Sequence, residues 1–153
     1  MTEGQQIPIL IPLAVGTTAI VCTIFSHALA VGVTVNFVRH ERKRGRAGAG
    51  FWTDVLIVAL AVLVALVAHL IEIAFWAVLF LICGEFRAFG AAYYHSAVNY
   101  TTLGYGDVVM TASWRMLGPL EAANGILMFG VSTAMIFAVI QRLIRDRFVD
   151  LKG

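Results

Sequence analysis

Three long apolar runs dominate the chain, at about 13–38, 55–83 and 116–141, with polar or glycine-rich stretches between them. Each run exceeds the roughly 20 residues that a helix needs to cross a bilayer. The pattern predicts three transmembrane helices. A further segment at 88–102 mixes small and aromatic residues, Ala91, Ala92, Tyr93 and Tyr94 among them. It is too short and too polar to span. It suits a re-entrant helix, which is tolerated at membrane depth where it is buried in protein or lines water.

Composition agrees with that pattern. Hydrophobic residues make up 60% of the 153 and charged residues 13%, against roughly 45–50% and about 25% in soluble domains. The expectation is an all-α integral membrane protein. The first 38 residues carry no Lys or Arg, only Glu3. A signal peptide needs a positive leading region, so the first run is expected to be an uncleaved helix. Cys22 and Cys83 fall in or beside apolar runs. They read as small core residues, and no metal spacing or disulfide framework accompanies them.

The distribution of charge orients the helices. Arg39, Arg42, Lys43, Arg44 and Arg46 are five of the eleven Lys and Arg residues, and Gly45, Gly48 and Gly50 surround them. A basic patch can bind nucleic acid, but between two spans the positive-inside rule explains it better. No nucleic-acid partner is expected, while contact with anionic membrane lipid is. The 39–50 connector then lies in the cytoplasm and the N-terminus outside. Arg142, Arg145, Arg147 and Lys152 place the C-terminus in the cytoplasm as well. Phe51 and Trp52 fit an aromatic anchor at the inner interface and Trp114 one at the outer.

Residues 101–107 read Thr-Thr-Leu-Gly-Tyr-Gly-Asp and lie between the second and third runs. This heptad closely resembles the selectivity-filter signature of pore-loop potassium channels, Thr-Val-Gly-Tyr-Gly-Asp, with Leu103 in place of Val. Residues 125–134, Gly-Ile-Leu-Met-Phe-Gly-Val-Ser-Thr-Ala, are similar to the inner helix of small bacterial members. The resemblance covers 55–145. It implies a pore module with an outer helix at 55–83, a pore helix and filter at 88–107 and an inner helix at 116–145. An extra transmembrane helix at 1–38 and a basic cytoplasmic loop at 39–54 precede the module, and a short cytoplasmic tail at 146–153 follows it.

The resemblance also implies residue roles. Thr102, Leu103, Gly104, Tyr105 and Gly106 become the filter. Backbone carbonyls of Thr102, Leu103, Gly104 and Tyr105, with the Thr102 hydroxyl, replace the water shell of the permeant ion, K+. Thr101, Asp107 and Glu121 become filter support, and Gly125 and Gly130 gating hinges. A filter needs four strands around an axis, so a homotetramer in a bacterial cytoplasmic membrane is implied. No organic cofactor is expected.

The chain departs from the family's pattern beyond Leu103. Several channels carry a pore-helix Glu that pairs with the Asp after the filter. The matching position here is Val98, so Asp107 needs another partner, such as Tyr94 or Trp114. The first run also lacks the arginine ladder of a voltage sensor, and the dozen residues after the third run leave no room for a nucleotide-binding domain.

Other polar residues within the runs leave alternatives open. His69 and Glu72 are one turn apart on one helix face. Ionisable groups at membrane depth suggest function, either a structural pair or a pH sensor. His27 and Asn36 read as interhelical hydrogen bonders. Positions 130, 134, 137 and 141 fall on one helical stripe. Phe137, or Gln141 below it, is then a candidate gate, since an apolar constriction closes a pore by dewetting. The alternative is that Phe137 packs against helix or lipid.

A potassium-selective channel is the first functional reading. A weakly selective cation channel and a non-conducting regulatory subunit are the alternatives. An enzyme is disfavoured: Gly-Tyr-Gly does not continue as a dinucleotide-binding Gly-x-Gly-x-x-Gly, because position 109 is Val.

Overall fold

The computed structural model describes residues 9–150. Glu3 and Lys152, which entered the charge argument, lie outside them. Four helices follow in order: α1 (Leu10–Lys43), α2 (Phe51–Ile82), α3 (Phe89–Tyr100) and α4 (Leu117–Asp150). The described residues contain no strand. Three stretches are long and apolar enough to cross a membrane: Leu10–Lys43, Phe51–Ile82 and Leu117–Arg147. The protein is an integral membrane protein. α1 and α4 have 34 residues each, or about 50 Å at 1.5 Å per residue, so both exceed a hydrocarbon core of about 30 Å.

The helices run further than the apolar runs suggested. α1 continues through Arg39 and Arg42 to Lys43, and α2 begins at Phe51. The connector outside helices is therefore 44–50, narrower than the expected loop at 39–54. Arg and Lys have good helix propensity, and their long stems let the charge reach water while the backbone stays helical.

Three of the four helices end on the same device, in which a residue in left-handed conformation turns the chain and two backbone bonds satisfy the last carbonyls. After α1, Gly45 (φ +68°) donates to Arg42 O and Arg46 to Glu41 O. After α2, Gly84 (φ +77°) donates to Leu81 O and Glu85 to Phe80 O. After α3, Thr102 (φ +60°) donates to Asn99 O and Leu103 to Val98 O. The first two caps use glycine. The third uses threonine, at about 1–2 kcal/mol of conformational strain.

The chain divides into two compact units. Among the described residues, one holds 9–24 and Ile71–Leu127; the other holds Phe25–Leu70 and 128–150. In the first unit, α3 packs on parts of α2 and α4, with Trp76, Phe80, Tyr100 and Leu117 fully buried. Glu85 ties the loop after α2 to the segment before α4, accepting from the Thr111 amide at 2.7 Å and its hydroxyl at 2.6 Å. α1 joins this unit through the Thr23 hydroxyl, which donates to Asn124 Oδ1 at 3.1 Å.

In the second unit, Val38, Ile57, Val139 and Leu143 form an apolar cluster. Ion pairs join the basic segments: Asp146 takes Arg42 Nε at 3.2 Å and Arg142 Nε at 3.5 Å, and Arg147 reaches Asp54 at 3.6 Å. Cations at the end of α1 and towards the end of α4 therefore gather around Asp146. Cys22, expected in a core, is exposed on α1, and Cys83 is half-buried. Asn36 is exposed.

Candidate ion-conduction site

Segment 101–107 leaves α3 through the threonine cap and joins no helix or strand. Its φ angles alternate in sign, positive at Thr102 (+60°), Gly104 (+58°) and Gly106 (+72°) and not at Leu103 or Tyr105. In an ordinary strand successive carbonyls point to opposite edges. Alternation of φ is what turns successive peptide planes the same way and lines carbonyls along one edge. Glycine at 104 and 106 makes two of the three left-handed residues inexpensive. All seven residues are exposed on the single chain, including the side chains of Leu103 (55%) and Tyr105 (68%).

Buried polar contacts anchor the helix beneath this segment. The Ser96 hydroxyl lies 2.8 Å from the Ile73 carbonyl and 2.5 Å from Glu121 Oε1, bridging α2 and α4. Glu121 is fully buried. The Tyr100 hydroxyl donates to the buried carboxylate of Glu72. Asn99 Nδ2 donates to His95 Nε2 at 2.9 Å, and His95 also bonds the backbone of Val108, beyond the segment. Burial among Phe80 and Phe86 pushes the His95 imidazole below its ordinary range, against the upward pull of Val108, Asp107 and Glu85. His95 is thereby held neutral, as one donor and one acceptor.

Asp107 accepts from the Tyr94 hydroxyl at 2.8 Å, one of the two partners expected in the absence of a pore-helix Glu. This hydrogen bond keeps the Tyr94 phenol protonated above its ordinary range. Both ends of the segment are therefore tied to α3, through the cap at Thr102 and through Tyr94 and His95.

Gly125 lies at a close approach of α4 to α3. A Cβ there would lie 2.0 Å from the Tyr100 carbonyl oxygen and 2.9 Å from its carbon. α4 runs unbroken past this point. Close packing of α4 on α3 thus requires glycine at this position. Gly130 has no neighbouring atom within 4 Å of a Cβ and lies in open space.

The second unit holds His27, His69, Ser132 and the α4 stripe from Gly130 to Gln141. His69 Nε2 and His27 Nε2 lie 3.1 and 3.0 Å from the Ser132 hydroxyl, and all three are buried. His27 is thus the interhelical hydrogen bonder expected from its place in α1. The expected pair His69 and Glu72 each gain a partner from another helix, Ser132 and Tyr100 respectively. Ser132 lies on the buried face of α4 with Met135, Val139 and Leu143. At about 100° per residue, Gly130, Ala134, Phe137 and Gln141 lie on the opposite face, and all four are exposed.

A family model described as an ion channel matches residues 66–142, half of the chain. The chain belongs to that ion-channel family. No curated protein and no solved structure matches it. In this ion channel the matched stretch takes in α3, segment 101–107 and the stripe through Phe137. α1 and the basic connector precede it.

Sequence reading alone missed His95, Ser96, Asn99, Tyr100 and Ser132. The i, i+4 spacing of His95 and Asn99 was a usable signal. The pairings of Ser96 with Glu121 and Tyr100 with Glu72 join residues 25 and 28 positions apart, which no local pattern marks.

Proposed function

We propose that this ion channel conducts K+ passively through a pore built by four copies of the chain, with 102–106 as its selectivity filter and α3 as its pore helix. The observation that carries the reading is the alternation of φ from Thr102 to Gly106. It supports a row of carbonyls from Thr102, Leu103, Gly104 and Tyr105 facing one axis, in which the ion exchanges water for carbonyl oxygen. One chain supplies one row, and the exposed Leu103 and Tyr105 side chains need neighbours to cover them. A closed fourfold ring provides both. Thr101, Asp107 and Glu121 support the filter from behind.

The threonine cap adds a specific argument. Glycine terminates α1 and α2 at this position, and a strained residue retained where glycine would relax is a pointer to function. The Thr102 hydroxyl is the group that glycine would lose. Thr102→Gly is expected to leave folding intact or slightly firmer, by up to about 1–2 kcal/mol, while reducing potassium conductance. Thr102→Ser restores most of it. Equal conductance in the three proteins, measured in planar bilayers, would remove the hydroxyl from the ion path.

The open stripe of α4 supports a pore-lining role for Gly130, Ala134, Phe137 and Gln141. Phe137, 59% exposed, is its bulkiest apolar member and the proposed gate, with Gly130 as the bending point. Phe137→Ser should raise resting conductance because a polar ring stays wet. An unchanged resting current with normal assembly would move the gate to Gln141 or to the filter.

The gathered cations of the second unit support a cytoplasmic connector and C-terminus and an outer N-terminus, in a bacterial cytoplasmic membrane. Cysteine placed at position 44 should react only with reagent on the cytoplasmic side. Labelling from the opposite side would invert the orientation.

The experiment that tests conduction itself is potassium flux into liposomes containing only the purified chain. Uptake by a tetramer is expected. Tetramers that pass no ion would favour a regulatory subunit.

A further inference from the structure

The second unit carries a groove between α1 and α4 of about 520 Å³. Its walls are apolar, with Val31 and Val35 on one side and Met135 and Val139 on the other. Arg39, Arg42 and Arg142 also line it, from the two helix segments where the apolar runs give way to charge. Arg42 and Arg142 are held from one point, since each presents Nε to the carboxylate of Asp146. Contact through Nε uses one of the five donors of a guanidinium. Three cations and one carboxylate leave two positive charges at this end of the groove.

We propose that the groove binds one anionic phospholipid, with an acyl chain along the valine and methionine walls and the headgroup phosphate on Arg39, Arg42 and Arg142. Two observations select this occupant. An apolar channel ending in arginines matches an amphiphile, whereas a free phosphate has no use for the apolar length. The arginines close the hydrophobic runs, which is the depth at which lipid phosphate lies, and basic pockets between transmembrane helices take anionic headgroups. Guanidinium groups bind phosphate oxygens in pairs. The site uses the extra helix α1, which lies outside the matched channel module, and thereby gives that helix a binding role. The inference is independent of conduction, because its readout is bound lipid.

The test is native mass spectrometry of the full chain in its assembled state, offered phosphatidylglycerol and phosphatidylcholine with the same acyl chains. The groove variant is Arg39→Gln/Arg42→Gln/Arg142→Gln. The control, Lys43→Gln/Arg44→Gln/Arg145→Gln, removes three cations from the same region outside the groove lining. The unsubstituted chain is expected to retain phosphatidylglycerol over phosphatidylcholine. The groove variant should lose that retention by about tenfold or more, from contributions of roughly one tenfold step or less per cation, and the control should change much less. Val35→Trp narrows an apolar wall without touching charge, and should also reduce retention if the groove variant misfolds. Retention that survives both changes overturns the proposal, as does equal loss in the control. Displacement of the lipid by millimolar inorganic phosphate would overturn the choice of lipid. Efficient disulfide cross-linking between copies at Val35→Cys would instead assign the groove to a second copy of the chain.

Discussion

Gly125→Ala is expected to be the most damaging single-methyl change in the channel, lowering thermal stability and abolishing conduction together. The added Cβ would lie 2.0 Å from the carbonyl oxygen of Tyr100. Contacts below 3.0 Å essentially do not occur, so the two backbones must part by about 1 Å. No rotamer can relieve the clash, because the obstacle is main chain on one side and a fixed Cβ on the other. Overpacking of this kind costs about 1–3 kcal/mol, which corresponds to a fall in melting temperature of about 2–12 °C for a chain of this size. The displaced group is the last residue of α3, and segment 101–107 begins directly after it. A shift there carries the Thr102 cap with it. Gly130→Ala is the matching control. Its Cβ meets open space, and alanine in a helix interior gains about 0.5–1 kcal/mol over glycine. It should therefore be stable, and any change in its open probability would report on bending at that residue alone. A stable, conducting Gly125→Ala protein would show that α3 and α4 do not approach as closely as described.

Gly104→Ala is expected to abolish potassium conduction without unfolding the protein. Gly104 has φ +58°, and only the Thr102 carbonyl, 4.0 Å away, approaches a Cβ built on it. The effect is therefore conformational and not a clash. A left-handed alanine costs about 1–2 kcal/mol, and an exposed segment can shed that cost by rotating the peptide plane. Rotation takes a carbonyl out of the row. In a fourfold ring the penalty acts in each strand, and one misplaced carbonyl spoils the ring, so the four penalties add. Size-exclusion profiles and melting curves should match the unsubstituted protein while single-channel openings vanish. Normal potassium currents would remove Gly104 from the ion path.

Much of the architecture was legible in the sequence because it rests on length and polarity. Three apolar runs of more than 20 residues leave few alternatives to three spans, and 101–107 stands out because two glycines flank a tyrosine between them. Helix ends were less legible. Arg39 to Lys43 look like a loop by charge yet stay helical, because a helix that has left the hydrocarbon core has no reason to stop until glycine offers a left-handed turn at Gly45. Partnerships were the least legible. Periodicity put His69 and Glu72 on one face but could not show that Ser132 and Tyr100 would meet them. The family resemblance marked Gly125 as a hinge, and no pattern showed its close approach to Tyr100, a contact between residues 25 positions apart.

The reversal potential under bi-ionic conditions tests most directly whether this chain alone forms a potassium-selective pore. The purified chain is reconstituted in a planar bilayer with potassium chloride on one side and sodium chloride on the other. Selection by carbonyl rows predicts a strongly displaced reversal potential, near the limit set by potassium alone, and loss of current in Gly104→Ala. A reversal potential near zero would contradict potassium selectivity and leave a weakly selective cation channel.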